Sequence, residues 1–148
     1  MAADRRLHLA LSDITEPLPD YILAQRSHLD ELFAFLRRWD RETPLLIHCY
    51  AGVSRSTAIA FAALCFLVPA TSETEHANRL RAASPTATPN PRIVALADAV
   101  LGRQGRMTAA IAAIGRGSEC FEGVPFGLTI PAALPHETPL DATAPQPA

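Results

Sequence analysis

Lysine is absent from this sequence, in which all 13 basic residues are arginine. Without lysine, the chain has neither Schiff-base catalysis nor the phosphate-binding lysine of P-loop proteins at its disposal. The 15 acidic residues slightly outnumber the basic ones and give a formal net charge of -2. A chain without a basic excess has no electrostatic footprint for a polyanion. We therefore expect no nucleic-acid partner, and local handling of any phosphate that the protein binds.

Long hydrophobic runs are also missing. The longest, residues 57–70, has about 14 residues, fewer than the roughly 20 that cross a bilayer, and the N-terminus has no signal-peptide pattern. The three cysteines are widely separated and the five histidines lack a paired spacing, so neither a disulfide framework nor a metal site is indicated. We expect a cytoplasmic protein with no membrane contact and no metal or other cofactor.

What the sequence does contain is a series of strand-like and helix-like apolar patterns. Alternating residues 7–11 predict a short strand, and the continuous apolar run 45–47 predicts a central strand buried on both faces. Apolar residues recur at helical spacing over residues 20–39. Cap signals and apolar spacing predict further helices: residues 55–67, a helix from the Ser72 and Glu75 capping box to about residue 83, a helix from the N-cap Asn90 and Pro91 to a stop at Gly102, and residues 108–114.

These patterns predict one domain followed by a tail. Residues 1–130 hold every predicted element, and a chain that is 49% hydrophobic has ample side chains for a core. Residues 131–148 are rich in Pro, Ala and Thr and have no amphipathic period. Such a composition predicts a disordered tail.

The segment HCYAGVSRST lies between the predicted central strand and the predicted buried helix that follows it. A loop that closes onto a helix N-terminus directs several backbone N–H groups at one point, where the helix dipole adds positive potential. Arg55, in the first turn of the helix, can hold two phosphate oxygens with its planar guanidinium. Glycine permits the tight curl of such a loop. The loop residues of this predicted phosphate site are Tyr50, Ala51, Gly52, Val53 and Ser54.

The same surroundings favour ionisation of Cys49. A thiol beside a helix N-terminus and a guanidinium has a pKa well below the free value of about 8.5, so Cys49 is predicted to be a thiolate nucleophile. The hydroxyl of Ser56 is placed to stabilise that thiolate, particularly when it departs as a leaving group. Cys65 and Cys120 have no arginine six positions later, and we interpret Cys65 as a buried core residue.

HCYAGVSRST resembles the signature loop of the Cys-dependent protein tyrosine phosphatases, closest to the dual-specificity type, and the resemblance extends over about residues 6–101. It implies that Cys49 is the nucleophile and Arg55 the phosphate clamp. It also implies that Ser56 assists breakdown of a phosphocysteine intermediate, and that His48 supports the site from behind the groups that touch phosphate.

Two further residues follow from the same resemblance. The stretch LHLALSDI is similar to the family's strand and loop that carry the general acid, which implies Asp13; Asp20 and Glu16 remain alternatives. The stretch SPTATPNPRIVALAD is similar to one that opens a late helix, in which an asparagine braces the phosphate loop. That residue is Asn90, which the N-cap rule also explains by itself.

The resemblance implies an α/β fold. Family domains usually carry further strands ahead of the signature loop, whereas only 48 residues precede Cys49 here. We therefore expect a small, mostly parallel sheet flanked by helices, with the N-terminal strands of the family missing or the sheet reduced.

The predicted function is a protein phosphatase acting on phosphotyrosine, with phosphoserine and phosphothreonine as further candidates, so the expected partner is a phosphorylated protein or a small phosphate monoester. A phosphoinositide phosphatase with the same chemistry would need additional basic residues in the loop, and an arsenate reductase would need redox cysteines near the site. A non-catalytic phosphoprotein-binding module is the alternative from another class. The sequence does not specify the oligomeric state.

Overall fold

The structure is a computed structural model, and it describes residues 5–132. Residues 133–148, the larger part of the predicted tail, lie outside the described residues. The helices are α1 (Arg26–Arg38), α2 (Arg55–Leu67), α3 (Glu73–Ala83), α4 (Pro91–Leu101) and α5 (Arg106–Ile114).

The predicted α/β fold, with its small and mostly parallel sheet, is wrong for residues 5–132, which form five helices and no β-strand. Segments 7–11 and 45–47 alternate between half-buried and exposed side chains, and their inward apolar side chains pack on the helical core. A strand also needs a neighbouring strand to bond its backbone. No backbone hydrogen bond joins these two segments to each other within the described residues. Both segments are therefore extended chain laid on the helices.

Helix α2 forms the centre of the molecule. It packs against α1, α3 and α4, while α4 also contacts α1 and α5, and α3 contacts α5. Ten of the 13 residues of α2 are buried, as expected of a helix that is apolar almost all round. Phe61 and Cys65 are fully buried, which confirms the interpretation of Cys65 as a core residue.

The predicted starts of three helices are confirmed. Helix α2 begins at Arg55. The Ser72 hydroxyl accepts a hydrogen bond from the Glu75 amide at the start of α3, and Asn90 caps α4 ahead of Pro91. Gly102 ends α4 in the left-handed conformation that glycine adopts without strain.

Helices α1 and α5 begin at other residues than predicted. Asp20 has a φ of 64°, and Ser12 binds Ile22 through two hydrogen bonds, so the chain before Gln25 is held outside the helix. Helix α5 begins at Arg106 because the Asp98 carboxylate accepts hydrogen bonds from backbone amides of its first turn. None of the helices in residues 5–132 has both the length and the apolar character needed to cross a bilayer.

Candidate active site

Residues 49–55 form a tight loop that leads from the extended segment 45–48 into α2. Gly52 has a φ of 71°, a left-handed conformation that costs an L-residue with a side chain about 1 kcal/mol or more. The Gly52 amide donates to the Cys49 sulfur over 3.3 Å, and the Ser56 hydroxyl lies 3.2 Å from the same sulfur. The loop thus curls around Cys49, as predicted from the position of Gly52.

The pKa of Cys49 lies below its ordinary value. Burial opposes ionisation of this half-buried thiol, but hydrogen bonds from the Ser56 hydroxyl and from the backbone amides of Ser56, Gly52 and Val53 outweigh that effect. The hydrogen bonds of the loop, rather than the charge of Arg55, thus lower this pKa. Burial raises the pKa of the Cys65 thiol to about 12. The structure therefore separates one ionisable thiol from one inert thiol.

The loop directs its backbone amides, among them those of Gly52, Val53 and Ser56, at the Cys49 sulfur. No backbone amide of residues 50–56 donates to a backbone carbonyl within the described residues. The first amides of a helix lack partners by construction, and the dipole of α2 adds positive potential at the same end. These donors form an anion site in which the Cys49 sulfur takes part.

Arg55 begins α2 and reaches the segment that carries Asp13. Its guanidinium donates to the Leu11 carbonyl over 3.1 Å, while its buried Nε has no hydrogen-bond partner among the described residues. A buried charged donor without a partner is costly unless an anion completes it. One nitrogen of the Arg55 guanidinium, Nη1, is thus held by the Leu11 carbonyl, while another, Nε, is available to a ligand.

Asp13 contacts Ser54 of the loop, although 41 residues separate the two in the sequence. The Ser54 hydroxyl donates to Asp13 Oδ1 over 2.7 Å, and the Asn90 side-chain amide donates to the same oxygen over 2.9 Å. No hydrogen bond occupies Asp13 Oδ2 in the described part of the chain. The carboxyl group is therefore oriented through one oxygen and open at the other.

Asn90 combines both of its predicted roles in space. Its side-chain oxygen accepts hydrogen bonds from the amides of Arg92 and Ile93 at the start of α4. Its side-chain nitrogen binds Asp13, and its backbone amide donates to the Ser54 carbonyl over 3.1 Å. Asn90 is 2% exposed, so this buried residue joins α4, the loop and Asp13.

The alternative acids are not joined to the loop. Asp20 lies on the C-terminal side of the loop 13–21, which the hydrogen bonds between Ser12 and Ile22 close at its base. Neither Asp20 nor Glu16 makes a hydrogen bond to the signature loop within residues 5–132. Its position beside the loop therefore favours Asp13 over Asp20 and Glu16 as the acidic group of the site.

His48 and Tyr50, on either side of Cys49, are exposed, and Tyr50 is 94% exposed. No hydrogen bond connects His48 to Cys49 in the region that the structure describes. Both side chains border a groove of about 770 Å³ that includes Cys49 and is lined by segments 41–52 and 122–130 and by one face of α2. Cys49 is therefore accessible from an open groove.

Residues 116–124 form a further segment at this site, which no sequence pattern predicted. The Gly123 amide donates to the Ala51 carbonyl over 2.8 Å, and a Cβ at Gly123 would lie 2.8 Å from the Gly52 carbonyl oxygen. Glu119, Cys120 and Phe121 border a second cavity of about 590 Å³ together with Asp13 and Ser54. The only signal in the sequence is the glycine, whose lack of a side chain permits this close approach.

No group of three or more His, Cys, Asp or Glu residues within 5–132 is arranged to hold a metal ion.

No protein-family model, curated protein or solved structure matches the chain. The geometry around Cys49 is therefore the basis of the functional proposal.

The thiol chemistry gives a direct prediction. Because hydrogen bonds to the sulfur stabilise the thiolate, iodoacetamide should alkylate Cys49 with a pH midpoint below that of N-acetylcysteine. Site-resolved mass spectrometry measures this rate. Ser56→Ala should move the midpoint upward, since it removes one of these hydrogen bonds. Cys65 is the internal control and should react only after unfolding in urea; an unshifted midpoint at Cys49 would contradict the lowered pKa.

Proposed function

We propose that this protein is a Cys-dependent phosphatase that hydrolyses phosphate monoesters of proteins. Phosphotyrosine is the first candidate substrate, and phosphoserine and phosphothreonine are the others. One observation supports the proposal above all: a sulfur with a lowered pKa lies inside a loop whose amides donate to no backbone carbonyl within the described residues, and the Nε of Arg55 beside it has no hydrogen-bond partner there. A phosphoryl group supplies the oxygens that these donors lack.

The first step is an in-line displacement at phosphorus. The Cys49 thiolate donates its electron pair to form the S–P bond while the bond to the leaving oxygen breaks. Asp13 Oδ2 carries the proton that the leaving oxygen takes, because hydrogen bonds from Ser54 and Asn90 already occupy Oδ1. The loop amides and Arg55 hold the other phosphate oxygens, a form of electrostatic stabilisation by donors that are already in place.

The second step releases phosphate. Asp13, now a carboxylate, takes a proton from water while the water oxygen attacks phosphorus and the S–P bond breaks. The Ser56 hydroxyl, 3.2 Å from the Cys49 sulfur, stabilises the departing thiolate. Both steps use only side chains and amides of the loop, α2 and Asp13.

The uncharged loop residues favour a substrate with few phosphates. Apart from Arg55, the loop 50–54 holds no basic side chain, and a phosphoinositide with several phosphates would leave charges without partners. We assign the protein to the cytoplasm, where thiols remain reduced.

Turnover of an aryl phosphate with and without EDTA tests the proposal. We expect hydrolysis that the chelator does not change, and acid quenching with a ³²P-labelled substrate should trap label on Cys49. Binding of phosphate without turnover would make the protein a phosphate-binding module instead. Activity lost to EDTA and restored by a divalent metal would place it in another class of phosphatase.

The general acid gives a substrate-dependent prediction. Asp13→Asn should slow hydrolysis of a phosphotyrosine peptide by about 10²- to 10⁴-fold and slow an activated aryl phosphate much less. An already stable leaving anion gains little from protonation, whereas an ordinary phenol gains much. Steady-state rates on both substrates measure the difference.

Asp20→Asn is the matched control, because this carboxylate lies on the same loop without a bond to Ser54 or Asn90. It should behave like the wild type on both substrates. A selective loss on the peptide at Asp20, with equal losses on both substrates at Asp13, would transfer the acid role to Asp20.

A further inference from the structure

Arg81, on the last turn of α3, binds a series of backbone carbonyls. Its Nη1 donates to the carbonyls of Ser84, Pro85 and Ala87 over 3.2, 3.0 and 2.8 Å, and its Nη2 donates to the Gly115 carbonyl over 2.7 Å. One guanidinium therefore holds both the loop after α3 and the chain after α5. Hydrogen bonds from a charged donor are stronger than those between neutral groups.

The loop that Arg81 holds, residues 84–87, continues into Thr88 and Asn90, which hydrogen-bond to residues 53 and 54 of the signature loop. The Thr88 amide donates to the Val53 carbonyl over 2.9 Å, and the Asn90 amide donates to the Ser54 carbonyl over 3.1 Å. The Asn90 side chain then binds Asp13. These hydrogen bonds from Thr88 and Asn90 end on residues 53, 54, 13 and 14, and none of them ends on the Cys49 sulfur.

Residues 84–87 have few other hydrogen bonds. The Ser84 amide donates to the Leu80 carbonyl, the Ala87 amide to the Ser84 carbonyl, and the Ser118 amide to the Pro85 carbonyl. Ala87 is fully buried, so its carbonyl needs a partner within the protein. Arg81 supplies that partner and adds a second one to the Ser84 carbonyl.

We infer that Arg81 is a positioning residue for the proposed reaction. By holding residues 84–87, it fixes Thr88 and Asn90, which in turn set the positions of Asp13 and of residues 53 and 54 of the signature loop. The contacts of the Ser56 hydroxyl and the Gly52 amide with the Cys49 sulfur are not part of this route, and the Val53 amide, which is, has the smallest of the effects that lower the pKa of Cys49. The catalytic consequence rests on the proposed function, whereas the structural coupling does not.

The test compares Arg81→Lys with Arg79→Lys. Both arginines lie on α3 and both donate to backbone carbonyls, but Arg79 binds Thr129, which has no hydrogen bond to the signature loop within the described residues. Lysine keeps the positive charge and loses the planar fork that reaches several carbonyls at once. Native-state hydrogen exchange reports on the amides of Thr88 and Asn90, and steady-state kinetics reports on two substrates.

In Arg81→Lys, hydrogen exchange at the Thr88 and Asn90 amides should be about tenfold or more faster than in the wild type, after correction for any change in the global unfolding rate. The phosphotyrosine peptide should lose about tenfold in kcat, an activated aryl phosphate about twofold or less, and the pH midpoint of Cys49 alkylation should not move. Arg79→Lys should leave all of these readouts unchanged. If Arg81→Lys does not fold, Arg81→Gln, which retains two donors, serves in the same comparison.

Unchanged exchange at Thr88 and Asn90, or equal losses on both substrates, would overturn the positioning role. Failure of the proposed function looks different, because then the wild type hydrolyses neither substrate while the exchange result still decides the coupling. If Arg79→Lys had an equal effect, Arg81 would only stabilise α3 and would have no positioning role at the site.

Discussion

Cys49→Ser should lower turnover of an aryl phosphate by about 10³-fold or more while leaving phosphate binding intact. A serine hydroxyl is scarcely ionised at neutral pH, and this site is built to stabilise a thiolate rather than to deprotonate an alcohol. The loop amides and Arg55 remain in place. Replacing the thiolate by a neutral hydroxyl also removes its repulsion of the phosphate dianion, so affinity should stay equal or increase.

Steady-state rates and calorimetric titration with inorganic phosphate measure the two effects. Cys120→Ser is the matched control, since it removes an exposed thiol that borders the neighbouring cavity without touching the anion site. It should retain wild-type turnover. Activity of Cys49→Ser above a few per cent of the wild type would remove Cys49 from the role of nucleophile.

Arg55→Lys should reduce kcat/KM by about 10²- to 10³-fold, and unlike the Cys49 substitution it should also weaken phosphate binding. An ammonium group retains the charge but cannot hold the Leu11 carbonyl and two phosphate oxygens in one plane. Inhibition by inorganic phosphate, measured alongside turnover, separates the two losses.

Arg103→Lys provides the control for this substitution. Arg103 also holds a backbone carbonyl, that of Cys65, and pairs with Glu73 at a distance from the loop. It should leave the kinetics unchanged even if it lowers the melting temperature. Half of the wild-type activity in Arg55→Lys would refute a guanidinium clamp on the phosphate.

Local signals in the sequence determined which helices could be predicted. The starts of α2, α3 and α4 follow from caps and prolines that act within a few residues, such as Ser72 with Glu75 and Asn90 with Pro91. Apolar alternation in segment 7–11 correctly indicated which side chains face the core. The continuous apolar run 45–47 was predicted to be buried on both faces, which is wrong, because Leu46 is 83% exposed. Neither pattern contains information about pairing partners. The sheet was therefore predicted and is not found in residues 5–132.

Residues of the candidate site divide in the same way. The curl of the loop around Cys49 depends on Gly52 and the N-terminus of α2, which are neighbours in sequence. The bond between Asp13 and Ser54 spans 41 residues and that between Asp13 and Asn90 spans 77. No spacing rule reaches so far, and only the family resemblance suggested those two residues. The approach of Gly123 to Ala51 had neither kind of support.

The unpaired extended segment ahead of Cys49 bears on how the proposed reaction would begin. Within residues 5–132, segment 45–48 lies on the core without strand partners and Leu46 is 83% exposed, whereas α2, on the other side of the loop, has the most buried residues of the five helices. Cys49 therefore lies at the junction of a lightly buried extended segment and a deeply buried helix. In the proposed reaction, a phosphoryl group bound to Arg55 would be held by the buried helix, and the sulfur would align against it. Binding of the anion and alignment of the sulfur would then be one event.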